Sequence, residues 1–256
     1  MSDSHTFTVD LNADVGESLP DVPPSIDREL MPWITSASVA AGFHGGNPSA
    51  IRETIRAARA HGVAVGVHPS FPDREGFGRR TMNLSATEVE DLVLYQIAAV
   101  AGIAAAEGVR MHHVKPHGAL YNMAARDCAL AAAIVRGIIA ADRSLLLYAP
   151  PGSELLLAGQ KTGLRVVVEC FADRGYEPDG SLTPRTKPDA VISDAATVVA
   201  RTVRMVKERA VEARDGSMLR VEPQTICVHS DTPGAARLAR QLRTSLEQAG
   251  ILVRQA

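Results

Sequence analysis

NPSAIRETIRAARAHGVAVGVH, residues 47–68, reads as one complete step from helix to strand. Asn47 suits a helix N-cap and Pro48 the first helical turn. The run IRETIRAARA carries the helix to His61, and Gly62 is a natural residue just past its end. Residues 63–67 then form a short apolar strand, and it exits onto a reactive side chain, His68.

The same step recurs in both directions along the chain. Strands are predicted at 6–11, 36–41, 110–114, 145–148, 165–169, 225–228 and 251–253. Helical segments lie between most of them: 26–32, a long helix to 107, 119–141 with a break near Arg126-Asp127, a short helix to 162, 194–213 and 235–249. Ser85 with Glu88 forms a capping box at the head of the long helix. Residues 215–223 read as a hairpin arm or a loop. That makes about seven or eight β/α units with no Pro/Ser-rich linker, so residues 1–256 are assigned to one domain. The strands read as near-continuous apolar runs, which suits a parallel sheet covered on both faces. An irregular (β/α) barrel with fewer than eight strands is the expected architecture, and an open doubly wound sheet is the alternative.

Composition narrows the function. A formal net charge of −2 supplies no basic field for nucleic acid. Three scattered cysteines without a CxxC spacing argue against a disulfide framework or a thiolate zinc site, and are read as small buried hydrophobes. The first ten residues carry no signal-peptide pattern, and no apolar run reaches the ~18 residues of a membrane span. A cytoplasmic location is expected. No GxxxxGK[ST], GxSxG or HExxH motif is present.

The polar residues at the strand exits are the candidate site, since α/β folds build active sites there. DLNADVGES (10–18) offers Asn12, Asp14 and Glu17; two carboxylates three apart can face one cation or share a proton, against the plain reading of solvated loop acids. Asp14 ranks above Glu17, and Asp10 is read as a polar residue within the strand. His44 lies in AGFHGGN, where glycines allow close backbone approach to a ligand. His68 heads the loop HPSFPDREGFGRR (68–80), whose arginines, Arg79 among them, could clamp phosphate or carboxylate; Glu75 and Arg80 are read as surface charges. In HVKPHGALYN (113–122), Lys115 and His117 are two apart in extended chain and share a side. They fit charge stabilisation and proton transfer. His112 and His113 are read as structural, with His113 facing away from Lys115, and Tyr121 and Asn122 as pocket or helix-cap residues. FADRGYEPDGSLTPR (171–185) is a lid-like loop carrying Asp173, Arg174, Tyr176 and Arg185. CVHSDTPGA (227–235) adds His229, with Asp231 as a turn cap and Thr232-Pro233 opening the next helix. A metal site from His44, His68 and a carboxylate such as Asp14 would have to be assembled by the fold, since the spacing alone specifies none.

These blocks, with GVAVGVH before the 68–80 loop, resemble the LamB/YcsF lactam-utilisation family, in the family order and over nearly the whole chain. The resemblance implies a seven-stranded distorted β/α barrel similar to polysaccharide deacetylases. It implies ATP-dependent opening of 5-oxo-L-proline to L-glutamate, with ATP as cofactor and partner subunits B and C; a divalent metal (Mg or similar) and homo-oligomerisation stay open. On that reading His117 or Asp14 is the base, Lys115 and Arg174 face developing negative charge, His44, His68 and His229 surround the pocket or an ion, and Arg79 and Arg185 hold the cofactor's anionic groups. Ser38, Ala41, Gly45 and Asn47 stand where the family commonly has Asn, Cys, Ala and Asp, and Ser230 where it has Gly. The change at 47 removes a carboxylate near His44 while keeping a good helix cap. Two other classes are carried: a metal-dependent deacetylase-like amidohydrolase acting alone, and a non-catalytic binding or regulatory partner of the other subunits.

Overall fold

In the computed structural model, which describes residues 7–17, 25–230 and 234–256, seven parallel strands close into a barrel. They are β1 (Thr8–Val15), β2 (Ser36–Ala40), β3 (Ala64–His68), β4 (Met111–Val114), β5 (Leu146–Ala149) and β6 (Val166–Phe171), followed, after a hairpin, by a seventh. The hairpin is β7 (Ala210–Glu212) with β8 (Met218–Arg220), antiparallel and outside the barrel. The seventh barrel strand, β9 (Thr225–Val228), pairs with β6 on one side and β1 on the other, which closes the ring. A two-residue strand, β10 (Leu252–Val253), joins the outer edge of β1.

Helices α1 (Ser25–Leu30), α2 (Pro48–Ala60), α3 (Ala86–Ala106), α4 (Gly118–Ala124), α5 (Cys128–Asp142), α6 (Glu154–Lys161), α7 (Ala195–Lys207) and α8 (Ala235–Gln248) connect the strands. Local signals explain their starts. Asn47 Oδ1 accepts from the amides of Ser49 and Ala50 at the head of α2. Ser85 and Glu88 form the reciprocal capping box of α3. Asp127 caps α5, which is why the 119–141 helical run breaks there. The expected opening of α8 at Asp231, Thr232 and Pro233 lies outside the described residues.

Several sequence readings need correction. The first strand runs on to Val15, so Asn12 and Asp14 are strand residues and not loop residues. The 194–213 helix stops at Lys207, because residues 210–212 pair into the hairpin. Helix α3 has the length and apolar composition of a membrane-spanning helix; here Val89, Leu92, Val93, Ile97 and Val100 are buried on one face. Cys128 is exposed, whereas Cys170 and Cys227 are buried.

The barrel strands are not uniformly apolar, and this positions the site. In β1, Val9, Leu11, Ala13 and Val15 join the large core beneath the helices, while Asp10, Asn12 and Asp14, all buried, alternate with them. The floor of the lumen is a hydroxyl cage around Asp10. Thr35 Oγ1 and Ser36 Oγ donate to its Oδ1 at 2.6 and 2.7 Å, and Thr225 Oγ1 and the Tyr148 hydroxyl to its Oδ2 at 2.6 and 3.1 Å. His113, expected to face away from Lys115, instead shares its side of β4, as a two-residue spacing dictates. Its ring stacks on Tyr148 at 4.2 Å and its Nε2 meets Ser38 Oγ at 3.0 Å. Gly66 makes room for it: a Cβ there would lie 2.3 Å from the ring.

Candidate active site

Above that floor, at the carboxyl ends of the strands, opens a cavity of about 1130 Å³. Asp14, His68, Lys115, His117, Arg174 and His229 line it, as do Arg79 and Arg185. The other two sequence candidates stand one layer back. His44 stacks on His117 (ring centroids 3.8 Å apart, planes 5° from parallel), and Asp173 is bonded to His229. The fold therefore gathers all of the sequence candidates into one place from six different strand ends.

Lys115 fills the centre. Its side chain is 2% exposed, and its ammonium contacts Asp14 Oδ1, donates to Asn12 Oδ1 at 2.8 Å and lies 3.2 Å from Glu169 Oε1 and from Cys227 Sγ. An ammonium has three protons, so this ring of acceptors accounts for all of them. Asn12 Nδ2 bonds Glu169 Oε1 (3.0 Å) and Thr225 Oγ1 (2.7 Å), and the Tyr121 hydroxyl donates to Glu169 Oε2 (2.7 Å). Burial would raise the Asp14 carboxyl, but the facing His68 imidazole and the Lys115 ammonium outweigh it and hold it well below its ordinary range. Burial would likewise lower the Lys115 amine, and Asp14 more than reverses this. Both groups are charged at neutral pH.

Beside this network sits a cluster of three imidazoles and a carboxylate. His68 Nδ1 bonds the Lys115 carbonyl (2.6 Å), and His117 Nε2 bonds the Phe77 carbonyl (2.8 Å). His68 Nε2 and His117 Nδ1 face one another at 2.9 Å. Glu17 Oε1 is 3.3 Å from His44 Nε2 and 3.7 Å from His117 Nδ1. Burial drives His44 and His117 well below the ordinary histidine value. The loop that supplies the Phe77 carbonyl is tightly held. Asp73 accepts from the amide of Gly76 (3.0 Å) and from Nε of Arg80 (2.7 Å), while Arg74 reaches the Gly46 carbonyl (3.0 Å). Phe77 itself has φ 54°, an uncommon conformation for a non-glycine residue, and Gly78 behind it packs on His117 and His44, where a Cβ would come within 2.8 and 2.9 Å.

At the ends of β6 and β9, Asp173 is fully buried and its carboxylate lies 2.9 Å from Nδ1 of His229. Burial would raise the Asp173 carboxyl, yet the facing His229 keeps it below its ordinary value. An ionised carboxylate on Nδ1 places the proton there and leaves Nε2 as the basic nitrogen, the arrangement of an oriented general base. Arg174 has a different employment. Its Nε donates to the Ala190 carbonyl (3.0 Å) and its Nη2 to the Thr183 carbonyl (2.5 Å), tying together the 174–190 loop. Burial and the neighbouring Arg185 lower its pKa to about 10. Arg201 of α7 donates to the carbonyls of Ala172 and Arg174 at 2.9 and 2.7 Å, so the loop is anchored at its base.

Sequence reasoning passed over Glu169 and Cys227, and ranked Glu17 and Asn12 low. A lone Glu inside the apolar run RVVVEC was a usable signal, because a buried carboxylate needs a partner. Glu17 carried no comparable signal. At the Asn47 departure the side chain is exposed and serves as the α2 cap. Ser38 is inside the lumen, on His113, and Ser230 lines the cavity.

The sequence profile of the LamB/YcsF family matches residues 9–256. The 5-oxoprolinase A subunit of Bordetella pertussis is 48% identical over 248 residues, covering 97% of this chain and 98% of that protein. The protein of the same name from Methylococcus capsulatus is 51% identical over 246 residues, covering 96% and 95%. The crystal structure of the lactam utilization protein from Thermus thermophilus superposes with a TM-score of 0.90 at 49% identity, covering 96% of this chain and 99% of the other.

Proposed function

Because the chain belongs to the LamB/YcsF family, we propose that it acts as the A component of a cytoplasmic, ATP-dependent 5-oxoprolinase, opening 5-oxo-L-proline to L-glutamate together with subunits B and C. The relatives' shared name supports the role, and one feature of the site carries the chemistry: the Asp173–His229 pair, which turns a basic imidazole nitrogen toward a cavity rimmed by Arg79 and Arg185.

A lactam is a poor electrophile, and phosphorylation of its oxygen by ATP creates a leaving group. Water then adds to the activated ring carbon while His229 takes its proton. The ring C–N bond breaks, the departing nitrogen takes the proton back, and the resulting acyl phosphate is hydrolysed by a second water to glutamate and phosphate. Arg79 and Arg185 suit the substrate carboxylate or the transferred phosphate, since guanidinium groups pair well with both. Lys115, its three protons already directed at Asn12, Asp14 and Glu169, serves to keep Asp14 ionised, and Arg174 to shape the loop over the pocket. The nucleotide is assigned to the complex and not to this chain alone.

The test is a 5-oxoproline cleavage assay with the chain alone and with subunits B and C. Glutamate and ADP are expected only from the complete mixture with ATP, and His229→Ala is expected to cut the rate by about 10³-fold or more. A second reading, a metal-dependent amidohydrolase working alone, is favoured by the Glu17/His44/His68/His117 cluster; turnover that survives removal of ATP and of both partners but not a chelator would establish it in place of the first.

A further inference from the structure

We propose that Glu17, His44, His68 and His117 form a binding site for one transition-metal ion of the zinc class, opening onto the cavity. The argument starts from ring tautomers. A carbonyl oxygen only accepts hydrogen bonds, so the proton of His68 is on Nδ1, against the Lys115 carbonyl, and that of His117 is on Nε2, against the Phe77 carbonyl. The remaining nitrogens, His68 Nε2 and His117 Nδ1, are then two bare lone pairs facing each other across 2.9 Å. Such a contact is repulsive unless a positive species lies between them.

The surroundings have the dimensions of a coordination shell. With metal–ligand bonds of about 2.0–2.1 Å, neighbouring ligand atoms of a tetrahedral zinc ion stand about 3.3 Å apart. The separations are 2.9 Å for His68–His117, 3.3 Å for His44–Glu17 and 3.7 Å for His117–Glu17. All four potential ligand atoms lie within 4.8 Å of one another, and all four residues are buried. His44 Nδ1, also buried, meets no hydrogen-bond partner. The carbonyl bonds to His68 and His117 are the outer contacts that orient ligating imidazoles. Three nitrogens and one carboxylate oxygen suit Zn²⁺, Co²⁺ or Mn²⁺ better than Mg²⁺, which prefers an oxygen shell. Glu17, His68 and His117 also line the cavity, so the ion would sit in its wall, where a carbonyl or phosphoryl oxygen could be polarised as a fifth ligand.

The rival occupant is a single proton shared by His68 and His117. Titration calorimetry of the untagged full chain, stripped with chelator, separates the two. ZnCl₂, CoCl₂ and MgCl₂ are the probes, with metal content read by mass spectrometry after dialysis. About one equivalent of zinc or cobalt per chain is expected, with affinity falling about 100-fold in Glu17→Gln and in His117→Asn and unchanged in the control His112→Asn. The Co²⁺-loaded wild type is expected to show the visible absorption of a low-symmetry, imidazole-ligated ion. Absence of stoichiometric binding to the wild type, preference for Mg²⁺, or undiminished affinity in both cluster variants overturns the proposal. Because these measurements use neither 5-oxoproline nor ATP, their outcome is independent of the catalytic reading: stoichiometric metal binding without 5-oxoproline cleavage would fault the catalytic reading alone, and cleavage without stoichiometric metal binding the metal site alone.

Discussion

Replacing Lys115 by Met tests whether this residue belongs to the framework or to the chemistry. Read from sequence alone, it is a catalytic cation whose removal abolishes turnover and leaves the fold intact. The structure puts its ammonium in contact with Asp14 and 3.2 Å from Glu169, with side-chain exposures of 2%, 8% and 0%. Met keeps most of the stem volume, so little of the effect is a cavity. What it removes is the positive charge between two buried carboxylates. Breaking a buried ion pair from one side costs about 3–5 kcal/mol, because the remaining charge is left uncompensated. For a chain of this size about 1 kcal/mol corresponds to 2–4 °C, so Tm is expected to fall by roughly 10 °C. Urea unfolding at neutral pH gives the free energy directly. Lys115→Met combined with Glu169→Gln is expected to regain about 1 kcal/mol or more, since one of the two stranded charges is gone. A single variant within about 1 kcal/mol of wild type would refute the reasoning and return Lys115 to the role of a dispensable cation.

Asp173→Asn is expected to leave the fold in place and to reduce turnover by about 10³–10⁴-fold, because an amide no longer fixes the His229 proton on Nδ1; steady-state glutamate production with subunits B and C checks it, and a loss below tenfold counts against the His229 assignment. Gly66→Ala is expected to cost about 1–3 kcal/mol through collision with the His113 ring, measured by thermal melting; an unchanged Tm would show that His113 can move aside. Glu107, paired with Arg52 and Arg56 at the end of α3, has its carboxyl lowered from 4.5 to about 2 by hydrogen bonds to Arg56 and Arg52. A depressed carboxyl stabilises the fold above its unfolded value, so the stability gap between wild type and Glu107→Gln is expected to be full above pH 4.5 and to close as pH falls toward 2; a gap that widens on acidification contradicts this.

The repeat of capped helix and short strand was legible because its signals are local. Asn47, Ser85 with Glu88, and Asp127 announce helix starts, and the glycines past the helix ends announce the strands. The strand exits were legible for the same reason, since His68, Lys115 and His229 follow apolar runs directly. What sequence could not show is pairing across distance. Asp173 and His229 are 56 residues apart and meet only because β6 and β9 are neighbours in the closed barrel. The tautomers of His68 and His117 depend on two backbone carbonyls, of Lys115 and Phe77, and carbonyls carry no residue-type signal. The polarity of the lumen was available in the alternation of β1 but was obscured by ending that strand at 11, which made Asn12 and Asp14 look like loop residues.

The backbone carbonyl of Lys115 holds the ring of His68, while the side chain of the same residue holds the charge of Asp14. One residue at the end of β4 is thus a common hinge pin for two groups with separate tasks. A sideways slip of β4 by a fraction of an ångström would disturb the orientation of the imidazole and the neutralisation of the carboxylate together. The two halves of the pocket are therefore mechanically geared, and adaptation to a new substrate has more freedom at the Arg79 and Arg185 rim than at the barrel's axle.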